Sequence, residues 1–374
     1  MRRLILFFLV LAMSGIAFSQ WKLQKTGLQS EFRGLDVVNE KVAWASGSRN
    51  TYARTTDGGE TWEVATVPDK ESLDFRDVAA FDADTTFLLS IGTGTKSRIY
   101  KTTDGGKIWT AQLINPHPKA FLDAFAFWDV RNGVAVSDPV DGRFLIMRTT
   151  DGGAHWTAIP EESIPPALSG EGVFAASGTT ITISGKGNAW FATGGAAAAR
   201  VFRSADKGLT WSVADTPIIA GQASSGIFSV AFKDARNGII VGGDYRKVEE
   251  AKNNIARTTD GGRTWTLITD SRLGGFRSCV AYLPGTRGTA LVAVGPSGTD
   301  YSEDGGGHWA KYDSEGFHVL AFAKSKAVGW AAGAGGRIAK FMPLPSKQKL
   351  RSFQPSNLFW ILDADIGLES GLPY

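Results

Sequence analysis

The sequence predicts an all-β chain folded as a seven-bladed β-propeller, closed by its own N-terminal strand. Three observations carry this. A short motif, Ser/Thr-x-Asp-x-Gly-x-x-Trp, occurs six times at near-regular spacing. Each copy is embedded in a pattern of four short apolar strands. The last unit lacks a strand that the start of the chain can supply.

The motif first reads Thr55-Thr56-Asp57-Gly58-Gly59-Glu60-Thr61-Trp62 and recurs at residues 102–109, 149–156, 204–211, 258–265 and 302–309. Its acids are Asp57, Asp104, Asp151, Asp206, Asp260 and Asp304, separated by 47, 47, 55, 54 and 44 residues. Its tryptophans are Trp62, Trp109, Trp156, Trp211, Trp265 and Trp309. A period of this size marks a repeat whose unit must stack on a neighbour to bury its apolar face. Asp-Gly-Gly is turn chemistry, because glycine takes positive φ without steric cost and Asp can accept the turn's amides. The preceding Ser or Thr hydroxyl can tie down the same loop. The Trp after the turn offers a large ring to pack between repeats.

Upstream of each motif stand an apolar strand, a turn and a second strand. Examples are first strands at 77–81 and 228–232, and second strands at 134–136 and 239–241. With the strands entering and leaving the motif, this makes four antiparallel strands per unit, the content of a propeller blade. After the sixth motif a seventh unit begins at residues 318–322, 328–332 and 337–341, but no fourth strand follows. Trp21-Lys22-Leu23-Gln24 matches the strand that leaves the other motifs, so it is expected to complete the last blade. Such closure leaves no long sheet edge open.

The chain divides into a leader at 1–19, the ring at 20–342 and a tail at 343–374. Arg2 and Arg3 precede an apolar run from Leu4 to Ala12, and Ala17-Phe18-Ser19 ends it with small residues, the pattern of a cleaved signal peptide. A periplasmic or secreted location is expected, with no membrane span in the mature chain. Cys279 is the single cysteine, so no internal disulfide forms, and it reads as a small buried residue. Without Arg2 and Arg3, 38 basic residues face 37 acidic ones, which gives a nucleic-acid partner no support.

These motifs are Asp-boxes, the bacterial neuraminidase repeat. Thr-Thr-Asp-Gly-Gly-x-x-Trp, with Gly329-Trp330 on a second strand, resembles the photosystem II stability/assembly factor-like family over residues 21–341. The resemblance implies the propeller fold. It does not imply one activity, since Asp-boxes occur in sialidases, sortilin-type receptors, glucanases and assembly factors alike. The sialidase Arg-Ile-Pro element is absent, and Tyr52, Tyr245 and Tyr301 lack a nucleophile's setting. Zinc spacing of the His-Glu-x-x-His kind is also absent, so no cofactor or metal is expected. The six Asp-box acids read as turn supports.

Function is expected on the opposite face, where the loops between second and third strands converge. Asp138, Arg143, Arg200, Asp244, Tyr245 and Arg246 lie in such loops and could form one polar pocket; Glu171 and His318 lie near the same face. The expected role is a non-enzymatic binding or assembly module, monomeric, for a protein or glycan partner. The competing reading is a glycan-cleaving enzyme using a carboxylate pair such as Asp138 and Asp244. Such a pair would stand about 5 Å apart for retaining chemistry or about 6.5–9.5 Å for inverting.

Overall fold

The computed structural model describes residues 21–27 and 29–342. The leader at 1–19 and the tail at 343–374 lie outside the described residues. Among the described residues there are seven four-stranded antiparallel sheets, each a blade. Their inner strands are Phe32–Val37, Asp74–Ala80, Leu122–Phe127, Ile181–Ser184, Ser225–Phe232, Cys279–Tyr282 and Val319–Phe322. Blade 7 is completed by Trp21–Gln24, which runs antiparallel to Ile338–Phe341 with Trp21 opposite Phe341 and Gln24 opposite Ile338.

Each Asp-box is the turn between a blade's third and fourth strands, and all six share one hydrogen-bond scheme. In the first, Thr55 Oγ1 donates to Asp57 Oδ1 at 2.9 Å and accepts the Gly59 amide at 2.8 Å. Asp57 in turn accepts the Thr61 amide at 3.0 Å and the Thr61 hydroxyl at 2.6 Å. The hydroxyl-to-Asp bond recurs at Asp104, Asp151, Asp206, Asp260 and Asp304. So does the amide four residues after the hydroxyl. The Thr61 hydroxyl and then its amide hold the Asp57 carboxyl down at about 2; the His155 amide and then its ring do the same for Asp151, also at about 2. The Trp stands one residue ahead of the fourth strand: Trp62 precedes Glu63–Thr66 and Trp109 precedes Thr110–Ile114.

That Trp turns into the seam with the preceding blade. Trp109 of blade 2 meets Trp44 and Tyr52 of blade 1 edge-on, at 6.4 and 5.1 Å. Trp62 of blade 1 meets Trp330 of blade 7 at 6.2 Å and 84°. The ring's closure rests on Gln24 in that seam. Its Oε1 accepts both indole N–H groups, from Trp62 at 2.7 Å and from Trp330 at 2.9 Å. Its Nε2 donates to the Gly59 carbonyl at 2.6 Å. Gly59 must be glycine here: φ is +85°, and an added Cβ would fall 2.5 Å from the Gln24 amide. Cys279 is fully buried in the core against blade 7.

Two loops are shorter than the sequence suggests. Residues 137–140 belong to blade 3's second strand, Gly133–Val140, and Arg143 opens the third. Asp141 and Gly142, with φ of +51° and +85°, make the two-residue turn between them. Asp244 likewise ends the strand Gly238–Asp244.

Candidate functional site at the channel mouth

Six of the seven blades each contribute one residue to a cavity at the face opposite the Asp-boxes. In six blades a buried residue near the start of the inner strand is the anchor, and the next side chain turns toward the centre as strand neighbours alternate; in blade 4 the pair stands ahead of the strand, which begins at Ile181. The pairs are Phe32-Arg33, Phe75-Arg76, Leu122-Asp123, Val173-Phe174, Ile227-Phe228, Arg277-Ser278 and Phe317-His318, and all seven anchors are buried. Every second member except Asp123 lines a cavity of about 410 Å³, joined by Ala175, Ala176, Tyr245, Phe276 and Pro296.

The cavity has two unlike walls. One carries Arg33, Arg76 and His318. Arg76 pairs with Asp74 at 2.9 Å and donates to the Ala175 carbonyl at 3.0 Å. Arg33 donates to the Ala176 carbonyl at 3.2 Å. Burial, and then the charge of Arg76, pull the Arg33 pKa down, so this guanidinium is short of anionic company. His318 Nε2 stands 3.2 Å from Glu31 Oε2. Burial and then Arg33 depress His318 to about 4, leaving it neutral near pH 7. The other wall is aromatic. Phe174 stacks face to face on Phe228 at 3.9 Å and 6°. Phe276 meets Phe228 edge-on at 4.6 Å, and Tyr245 stands edge-on to both stacked rings with 44% of its surface exposed.

The floor is a segment the strand pattern does not foretell. Between Val173 and the inner strand beginning at Ile181, blade 4's chain leaves the sheet and crosses the axis. Ala175 and Ala176 receive the two arginines from blades 2 and 1. Ser177 Oγ donates to the Ser278 carbonyl of blade 6 at 2.8 Å, and Thr179 Oγ1 donates to Ser229 Oγ of blade 5 at 2.8 Å. Phe174 to Ala176 line the cavity above, while Ser177 to Thr179 line a second cavity of about 570 Å³ below. The channel mouth is therefore blind. Gly178 fixes the crossing: φ is +71°, and a Cβ would lie 2.3 Å from Asp77 Oδ1. Gly178→Ala is expected to destabilise the ring by about 2–4 kcal/mol through the strained φ and overpacking. Urea unfolding reads this; a wild-type midpoint would show the crossing to be loosely held.

Of the loop residues read as candidates, Tyr245 alone lines the cavity. Arg143 and Arg200 serve a repeated structural device: the arginine opening a third strand anchors the loop between blades. Arg143 donates to the Glu161 and Ile164 carbonyls at 3.1 and 2.7 Å. Arg200 is buried on Glu171, with Nε to Oε1 at 2.8 Å, and reaches the Pro166 carbonyl at 2.9 Å. Arg98 does the same with Asp69 and Glu71. Asp138 accepts the Val173 amide at 2.8 Å in the seam between blades 3 and 4. Asp244 is buried and accepts the Arg246 amide at 2.9 Å within its own turn, and Arg246 is exposed. The carboxylates proposed as a pair are thus each held by a different backbone amide, in different blades. Among the described residues no group of three or more His, Cys, Asp or Glu is placed to hold a metal ion, and no helix is long and apolar enough to cross a membrane.

The family profile described as photosynthesis system II assembly factor YCF48 matches residues 13–193. The chain is a seven-bladed propeller that resembles the photosystem II assembly factors. Among solved structures, one described as YCF48 bound to D1 peptide is 17% identical with a TM-score of 0.64, over 87% of this chain and 98% of that one. YCF48 from Cyanidioschyzon merolae is 19% identical with a TM-score of 0.63, over 86% and 99%. At these identities the likeness establishes the fold. No curated protein matches the sequence.

In this assembly-factor-like ring, Arg33, Arg76, Phe174 and Phe228 are the mouth residues that loop-based reasoning missed. A signal was available where the inner strand itself carries the pair: Arg33, Arg76 and Phe228 each follow a buried apolar anchor, whereas Phe174 lies ahead of its strand and shows no such register.

Proposed function

We propose that this protein is an exported, monomeric, non-enzymatic module that holds a segment of a partner protein at the channel mouth. One observation carries the reading: six blades each send one side chain into a single blind cavity with a cationic wall and an aromatic wall. Pockets of about 300–1,000 Å³ with few convergent polar groups are the usual form of a binding site. The basic, apolar and small-residue sequence of residues 1–19 supports export. The solved structure described as bound to D1 peptide supports a peptide over a glycan. The separate anchoring of Asp138 and Asp244 supports binding over glycoside cleavage.

Panning a displayed peptide library on the immobilised ring tests this. Selected peptides should bind the wild type and lose roughly tenfold or more in affinity to Phe228→Ala/Tyr245→Ala, as expected when aromatic anchors are removed. Equal affinity for both proteins overturns the assignment of the face. Turnover of aryl glycosides that disappears in Asp138→Asn or Asp244→Asn would restore the enzyme.

A further inference from the structure

We infer that the channel mouth recognises a carboxylate carried directly on an apolar or aromatic body. This rests on the reading of the mouth as the binding face and adds the chemistry it selects. A guanidinium carries five N–H donors in a planar fork that matches a carboxylate. Arg33 commits NH1 to the Ala176 carbonyl and lies beside the like charge of Arg76. The nearby acids are already engaged, Asp74 with Arg76 and Glu31 with His318. Arg33 is therefore the group with donors and charge to give.

The charge balance selects among anions. Two guanidiniums, partly offset by Asp74 and Glu31, suit a single negative charge rather than a phosphate dianion. The facing wall selects the rest of the ligand. Phe174, Phe228, Phe276 and Tyr245 offer ring faces and edges to an apolar group, and no cation stands among them in the cavity lining. The blind floor sets the approach. Ala175 and Ala176 close the cavity and fix both arginines from below, so the ligand enters tip first, as a small molecule or as the end of a chain. A strand threaded through the ring is ruled out by the same floor.

Titration calorimetry with defined probes tests the inference. The acids are 3-phenylpropionate and a short peptide ending in phenylalanine with a free carboxylate. The controls are 3-phenylpropanamide and the same peptide amidated. Each acid that binds should do so at least tenfold more tightly than its amide, the effect of losing a charge-assisted bidentate contact. Arg33→Gln/Arg76→Gln should bring acid and amide together. The wild-type acid-to-amide comparison holds even if that variant folds poorly. Binding of 3-phenylpropionate as tight as that of the peptide acid identifies a free organic acid as sufficient; binding by the peptide acid alone identifies a chain end. Equal affinity for acid and amide overturns the carboxylate, while leaving the mouth as a peptide-binding face. Failure of every peptide to bind removes the face itself.

Discussion

Deleting Trp21–Gln24 abolishes cooperative folding of the ring. The strand closes blade 7 from the far end of the sequence, pairing with Ile338–Phe341 across all four residues. Trp21 is 2% exposed and packs against Phe317 at 5.2 Å and Phe341 at 5.4 Å, with Nε1 donating to Thr299 Oγ1 at 3.0 Å. Truncating a buried Trp to Ala costs about 3–5 kcal/mol, against a total stability of about 5–15 kcal/mol for a domain. Gln24→Ala leaves the Trp62 and Trp330 indoles without their shared acceptor, at about 1–3 kcal/mol for each orphaned donor. The full deletion combines both losses and exposes an unpaired edge to other chains. Lys22→Ala and Leu23→Ala, at exposed positions of the same strand, should stay within about 0.5 kcal/mol of wild type. Urea unfolding of the four variants decides the matter. A shortened ring that unfolds with the wild-type midpoint and slope would show that the closure contributes nothing.

The ring and its closing strand could be read from sequence because they follow from local, periodic signals. Asp57 and its five counterparts recur with their turn glycines and Trp, and the alternation around them fixes four strands per unit. The unmatched strands at residues 21–24 and 338–341 then had only each other. The site obeys no such period. Phe174-Ala175-Ala176-Ser177-Gly178-Thr179 has neither strand alternation nor a charged residue, so nothing local tells it from a loop. Its role comes from partners 50 to about 140 residues away, among them Arg33, Ser229 and Ser278. Arg143 and Arg200 misled for the converse reason. A charge beside a loop looks the same whether it faces a ligand or, as here, a carbonyl or Glu171 in its own blade. Tyr245 lay in the right loop and also faces the cavity, because the turn after Asp244 leaves its ring at the mouth.

The buried acids around the inner strands respond to pH in the sense opposite to the Asp-box carboxylates, and the contribution of Asp138 is the second large effect expected. Asp57 and Asp151 hold their carboxyls near 2, below the ordinary 3.8. Their stabilisation is present above the unfolded value and is lost as pH falls through about 2. Asp36, Asp77, Asp123 and Asp138 behave oppositely, because burial pushes all four upward. For Asp77 and Asp123 the rise is large; Asp77 gives its oxygens to the Val78 and Phe125 amides at 2.8 and 2.9 Å, and Asp123 leaves Oδ2 without a partner among the described residues. Asp138 is raised to about 6. A group raised on folding is favourable below its unfolded pKa, and that contribution disappears as pH climbs through its folded one. From 3.8 to about 6, Asp138 alone withdraws roughly 3 kcal/mol. Over the same range His318, lowered by burial from 6.5 to about 4, contributes in the opposite sense as it loses its proton, so the loss owed to Asp138 shows as a difference from a variant that cannot ionise there. Asp138→Asn keeps an acceptor for the Val173 amide and cannot ionise, so it should gain stability relative to wild type as pH rises from 4 to 7. Thermal unfolding of both proteins from pH 3 to 8 provides the comparison. Parallel curves between pH 4 and 7 would mean that Asp138 titrates as an ordinary surface carboxylate, and that the seam between blades 3 and 4 admits water to it.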